Sequence, residues 1–220
     1  MDARFAAHDN SAMHQVAAML ADPSRAAMVL ALMDGRARSA KKLALDAGVT
    51  PQTASAHLKK LVAAQILVWE GRGRTKHFSL SGPDVAHAVE ALSGINAGSG
   101  PRELRFARCC YDHLAGKLGV AVTERLLQPG NTVLADLKVV VENSRRPLFR
   151  CCTDWTERRP HVAGAVGAAL LRHYLEQRWL ERVEASRRLV VTPRGREMFV
   201  RLLGVEEAIF SPAQHSKPLR

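Results

Sequence analysis

The residues best equipped for chemistry are the four cysteines and the histidines near them. The cysteines come as two adjacent pairs, Cys109-Cys110 and Cys151-Cys152. Each pair opens a similar stretch. The first is Cys109-Cys-Tyr-Asp112-His113-Leu-Ala-Gly116; the second is Cys151-Cys-Thr-Asp154, followed by His161-Val-Ala-Gly164. Thiolate and imidazole donors together suit zinc, copper or a soft metalloid. Vicinal thiols also react with oxidants or electrophiles when a neighbouring cation lowers their pKa. Arg108 and Arg150 directly precede the two pairs. Free cysteine is equally at home as a small buried hydrophobe. Cys109, Cys110, His113, Cys151, Cys152 and His161 are thus the candidate effector or thiol-sensor set, with a metal ion or metalloid, thiol chemistry and plain packing all open. If the first stretch were helical, Cys110 and His113, three apart, would share a face.

Catalysis is not expected. A Cys110 nucleophile would need His113 or His161 as its base. The chain shows no phosphate loop, dinucleotide fingerprint or hydrolase elbow, so no catalytic residue is assigned.

A second group of residues points to a polyanion. The 220 residues carry 32 Lys+Arg against 21 Asp+Glu, a net charge of +11. From Arg36 to Phe78 the basic residues Arg36, Arg38, Lys41, Lys42, Lys59, Lys60, Arg72, Arg74 and Lys76 are opposed only by Asp46 and Glu70. A basic surface of this kind favours nucleic acid or an acidic membrane.

The elements around these charges decide between them. Asp22-Pro23-Ser24 is a helix start, with a capping side chain and Pro in the first turn. Asp34-Gly35 stops that helix. Ser39 caps a helix over Ala40–Ala47, and Gly48 suits its end. Thr50 caps the next, with Pro51 at its first position, and Ala54, Leu58, Leu61 and Val62 form its buried stripe. Gln52, Thr53, Ser55, His57, Lys59 and Lys60 fall mostly outside that stripe. Helix, Gly-containing turn, helix is the helix-turn-helix pattern, whose second helix enters the major groove. Ile66–Glu70 and Thr75–Leu80 read as strands joined by Gly71-Arg-Gly-Arg74. A basic hairpin directly after the second helix is a wing. The expected DNA-binding residues are Ser39, Lys41, Thr50, Gln52, Thr53, Ser55, His57, Lys59, Lys60, Arg72, Arg74 and Lys76. The expected partner is double-stranded operator DNA, not a membrane.

Ala21-Asp-Pro-Ser-Arg25, Ser55-Ala-His57-Leu58-Lys-Lys-Leu61 and the Arg-Gly wing together resemble the ArsR/SmtB family of winged-helix repressors over roughly residues 10–95. The resemblance implies a homodimer held by helices at about 10–20 and 83–95. It also implies an imperfectly palindromic operator and release when an effector binds. It places the base-reading positions at Gln52, Thr53, Ser55 and His57. The chain departs from the metal-sensing members. The helix before the turn reads Lys41-Lys-Leu-Ala-Leu45, with no thiol. Asp84 and His87 lack the partners and spacing of the family's other metal site. The paired stretches around Cys109 and Cys151 are similar to a pair in longer members of the family.

The fold class expected is mainly α with small β-hairpin wings. A winged helix-turn-helix domain over 1–95 is followed by a linker at 96–101, a second, mostly helical domain at 102–212 and a tail at 213–220. The order Leu170–Leu180, Arg182–Thr192, Pro193–Leu203 reads as a degenerate second winged-helix unit. Alanines around Gly164 and Gly167 would admit another helix. The expected function is a DNA-binding transcriptional regulator, a repressor whose C-terminal domain senses an effector. The alternatives are a metal- and thiol-independent regulator answering a small organic ligand, and a Cys-dependent enzyme fused to a DNA-binding domain. Nothing at the start, MDARFAAHDN, looks like an export signal, and no apolar run spans a membrane, so a cytoplasmic place is expected.

Overall fold

The computed structural model describes residues 11–95, 101–142 and 146–210. The expected tail, and the linker apart from Pro101, lie outside these residues. The chain divides into two compact units, Met1–Val85 and Ala86–Arg220.

The first unit opens with α1 (Ser11–Leu20) and α2 (Pro23–Ala31). The Asp-Pro-x-Arg segment between them has a structural job. The Asp22 side chain accepts from the Arg25 backbone N–H at 2.9 Å, capping α2. The Arg25 guanidinium turns back and donates to the carbonyls of Met19 (2.8 Å) and Ala18 (2.9 Å), closing the C-terminus of α1. A short strand β1 (Arg38–Ser39) leads into α3 (Ala40–Asp46) and α4 (Pro51–Ala63). Ser39 and Thr50 cap these two helices by accepting from the N–H groups of Lys42 and Thr53. Gly48 sits in the turn between them at φ +65°, a conformation glycine adopts at little cost. Next come β2 (Leu67–Arg72) and β3 (Thr75–Leu80), which form an antiparallel hairpin, with β1 on the outer side of β3. The hairpin is longer than the sequence suggests. Arg72 pairs with Thr75, so the turn is only Gly73-Arg74, and Gly73 has φ +61°. The pairing of β1 with His77 and Phe78 had no sequence signal. Met28, Val29, Leu32, Leu43, Ala54, Leu58, Leu61, Leu67, Phe78 and Leu80 fill the core.

α5 (Pro83–Ile95) begins at the end of the first unit, and its residues from Ala86 onward belong to the second. The second unit then repeats one motif. β4 (Arg108–Cys110) pairs with β5 (His113–Ala115), and α6 (Lys117–Leu126) follows. After α7 (Val133–Asp136), β6 (Arg150–Thr153) pairs with β7 (Pro160–Ala163), and α8 (Gly164–Glu176) follows. Each helix lies chiefly on the other repeat's hairpin: α8 on β5, α6 on β7. Two glycines per repeat let each helix start close against the backbone that precedes it. Gly116 and Gly164 enter the helices at φ +84° and +76°. A Cβ on Gly119 or Gly167 would stand 2.6 Å from the carbonyl oxygen of Leu114 or Val162. These small residues therefore admit a strand, not the second helix expected from sequence.

The chain closes with β8 (Leu180–Arg182), β9 (Leu189–Val191) and α9 (Pro193–Arg201). The order α8, β8, β9, α9 repeats that of α4, β2, β3, α5. Tyr174 stacks on Trp179 at 5.3 Å, and Phe199 meets both edge-on. Among the described residues no helix is long and apolar enough to cross a membrane.

Candidate nucleic-acid interface and Cys/His centre

On α4 the buried side chains are Ala54, Leu58 and Leu61, as the stripe requires. Gln52, Thr53, Ser55, Lys59 and Lys60 are exposed on the remaining surface. Thr50 and Thr53 hold each other, with their hydroxyl oxygens 2.9 Å apart. The Ser55 hydroxyl donates to the Pro51 carbonyl at 2.9 Å. Gln52 is thus a long amide on the first turn, and can reach a base edge. His57 lies differently. It is half-buried against the start of α2, with Nδ1 3.5 Å from Arg25 Nη1 and 4.0 Å from Asp22. Ser39 is occupied as a helix cap, whereas Lys41 is exposed.

On the wing Arg72, Arg74 and Lys76 are all exposed. Their surroundings differ. Arg72 Nε donates to Glu70 at 2.8 Å, so its charge is partly answered within the strand. Lys76 Nζ stands 4.0 Å over the exposed Trp69 ring, a cation–π contact. Arg74 occupies the turn itself. Trp69 is exposed beside Lys76, although strand alternation puts it on the same face as the buried Leu67.

In the second unit Cys110, His113, Cys152 and His161 converge, each buried, with one donor atom apiece all within 4.8 Å of one another. Cys110 and His113 share no helix. They are cross-strand partners across the two-residue turn Tyr111-Asp112, where Tyr111 adopts φ +63°. Cys152 and His161 are cross-strand partners in the second hairpin. Strand alternation separates the other two thiols from the cluster. Cys109 points into the apolar core, where its sulfur accepts from Arg182 at 3.2 Å, and Cys151 is exposed.

Carboxylates stand behind both rings. Asp112 Oδ1 lies 3.2 Å from His113 Nδ1, and Asp154 Oδ2 lies 3.2 Å from His161 Nδ1. Asp154 is fully buried. Its carboxylate also accepts from Arg108 (3.0 Å) and the Gly116 N–H (2.6 Å), and from the Thr156 hydroxyl (2.7 Å). Arg108, likewise fully buried, joins it to Glu90 on α5, which a second guanidinium, Arg187, approaches at 3.3 Å. Arg108 therefore serves the carboxylates and does not sit chiefly on the thiols it precedes. Nothing in the sequence spacing links Glu90 through Arg108 to Asp154.

The electrostatics divide the two clustered thiols. The Cys110 thiol beside Cys152, reinforced by His113 and His161 and opposed by burial, holds Cys152 down at about 2. Its neighbour Cys152, then burial, push Cys110 well up. Burial works against a charged His161, but Asp154 and Cys152 outweigh it and raise the ring to about 9. For Asp154, burial is outweighed by His161 and Arg108, and its carboxyl is held below the usual range. The arrangement is two sulfurs and two ring nitrogens facing one another, able to hold a metal ion or to act as an ionised thiol.

A capped helix-turn-helix with a basic wing defines a DNA-binding winged helix. A helix-turn-helix domain model matches residues 20–68. The uncharacterised HTH-type transcriptional regulator YdfF of Bacillus subtilis (strain 168) is 36% identical over 219 residues, covering 87% of this chain and 97% of the relative. That match must include much of the second unit. Among solved structures, NolR from Sinorhizobium fredii is 25% identical over 39% of this chain and 84% of its own, with TM-score 0.36. A possible transcriptional regulatory protein from Mycobacterium bovis (fragment 1–100) is 23% identical over 41% and 96%, with TM-score 0.37. The chain belongs to the HTH-type transcriptional regulators, with a second unit beyond the winged helix.

Proposed function

We propose that the protein is a homodimeric repressor that reads operator DNA through α4 and the wing, and releases it when the second unit receives a signal at its Cys/His centre. The observation that carries the DNA half is the exposed row Gln52, Thr53, Ser55, Lys59 and Lys60 on a helix fixed by its own cap and followed by Arg72, Arg74 and Lys76. Amide and hydroxyl groups early in the helix face base edges. The lysines and arginines face phosphates. Exposed apolar side chains on the two expected dimer helices, Val16 on α1 and Leu92 and Ile95 on α5, support self-association.

The signal half rests on the buried cluster. An N/S donor set suits zinc, copper or a soft metalloid, and the low Cys152 pKa suits thiol chemistry. All four groups are buried, which supports a regulatory role over a catalytic one. A second reading, an organic effector, has a specific place to look: a cavity of about 540 Å³ lined by Arg102, Phe106, Arg188, Arg196 and Phe210.

Titrating the purified protein onto a fragment of its own promoter tests the DNA half. Expected is specific binding that weakens steeply with salt, by roughly 10³-fold between 50 and 200 mM if six or more phosphates are contacted. Equal affinity for the promoter and random DNA would overturn the reading.

A further inference from the structure

Resting on the reading of this cluster as the second unit's receiving site, we propose that Cys110 Sγ, His113 Nε2, Cys152 Sγ and His161 Nε2 bind a single zinc-class divalent ion in a closed tetrahedral centre. Tetrahedral zinc with bonds of about 2.0–2.3 Å needs donors roughly 3.3–3.8 Å apart. One donor atom from each of the four residues lies within 4.8 Å of the other three, so the widest pair must close by about 1 Å. Both Nε2 atoms are fully buried and have no hydrogen-bond partner in the protein. Such a group costs about 1–3 kcal/mol unless something answers it, and two in one cluster point to a shared ligand.

The tautomers are prepared as well. Asp112 is hydrogen-bonded to His113 Nδ1, and Asp154 stands 3.2 Å from His161 Nδ1 without hydrogen-bond geometry; a proton on Nδ1 in each ring leaves the Nε2 lone pair for the ion. This carboxylate–histidine–metal order is how ligand rings are held and made more basic. Charge balance agrees. Two thiolates and two neutral imidazoles around a divalent ion sum to zero, the state a buried site tolerates best. Binding releases each remaining S–H proton, and the Nε2 proton of a charged ring, to solvent and leaves each Nδ1 proton in place. Sulfur and nitrogen donors exclude calcium and magnesium, which take oxygen. Four protein ligands leave no open position, so the ion is structural or regulatory and not hydrolytic.

The two repeats explain the site. Each hairpin supplies one Cys/His cross-strand pair, and the ion joins the pairs. A Cys110–Cys152 disulfide would satisfy the sulfurs but leave both Nε2 atoms unanswered.

The test uses the full chain, reduced, stripped with a chelator and titrated with Co(II), then Zn(II). Expected are about one ion per chain, intense visible bands of tetrahedral cobalt and a near-ultraviolet thiolate-to-cobalt band, all bleached by one equivalent of zinc. Cys151→Ser keeps this behaviour. Cys152→Ser weakens zinc by more than the roughly 10–100-fold that an outer-shell loss costs. A weak octahedral cobalt spectrum in the wild type, an equal loss in Cys151→Ser, or a persistent Cys110–Cys152 disulfide in protein isolated with zinc overturns the site. The wild-type spectrum decides the matter even if Cys152→Ser does not fold. Operator binding read in the same samples separates the two ideas. One tetrahedral ion with unchanged operator affinity upholds the metal site and overturns its part in signalling.

Discussion

Asp154 and His161 face each other at 3.2 Å with both side chains fully removed from solvent. The carboxylate cannot be a casual neighbour, because the same group also accepts from Arg108, Gly116 and Thr156. It fixes the ring that faces the thiols and ties that ring to α5 through Arg108 and Glu90. Asp154→Asn should therefore weaken zinc by about 10–100-fold while keeping the four donors. Competition against a chromophoric chelator measures this, and an unchanged zinc affinity would show that the carboxylate does not orient the ligand.

Arg108 is the cation on which this buried network depends. Replacing it with Leu would leave two buried carboxylates, Glu90 with Arg187 and Asp154 with His161 as the cations beside them among the described residues. Removing one partner of a buried ion pair costs about 3–5 kcal/mol. Urea unfolding of Arg108→Leu should show a loss of that order, against less than 1 kcal/mol for the exposed Arg201→Ala. Comparable midpoints for the two variants would mean that solvent reaches the network.

Gly116 enters α6 at φ +84°, and a Cβ there would stand 2.8 Å from the carbonyl oxygens of Arg105 and Phe106. Gly116→Ala should cost at least about 1–3 kcal/mol from backbone strain alone. Because Gly116 also donates to Asp154, the same change should lower zinc affinity. Thermal unfolding with and without zinc checks both effects.

On the wing, Arg72 is paired with Glu70 while Arg74 sits in the turn. Arg74→Ala should lower affinity for specific and random DNA alike and reduce the salt slope by about one. Arg72→Ala should do the same more weakly. Gln52→Ala should instead blur discrimination at one base pair, costing about 1–3 kcal/mol on the specific site only. Binding series at several salt concentrations distinguish the two patterns. An equal loss on both DNAs for Gln52→Ala would remove it from base reading.

Much of the DNA-binding unit was legible because its signals are local. Asp22, Ser39 and Thr50 cap the helices they precede, and Gly48 and Gly73 mark turns. His57 looked like an outward polar residue, but its packing against Arg25 depends on how α4 meets α2, which no local pattern states. In the second unit the paired Cys and His stretches were visible, yet the helix spacing between Cys110 and His113 misled. Tyr111, in a left-handed conformation, turns that stretch into a hairpin. The alternation of strands then sorts the six candidates, sending Cys109 to the core and Cys151 to solvent. The network of Glu90, Arg108 and Asp154 joins residues up to 64 positions apart in sequence (Glu90 to Asp154), so only the fold brings it together.

The most direct measurement is operator affinity with and without zinc, for the wild type and for the Cys110→Ser/Cys152→Ser variant. A shift of at least about 10-fold in the wild type, or about 1.4 kcal/mol of coupling, is expected, with no shift in the variant. Identical affinities with and without zinc in the wild type, on protein shown to hold the ion, would contradict control of DNA binding by the Cys/His centre.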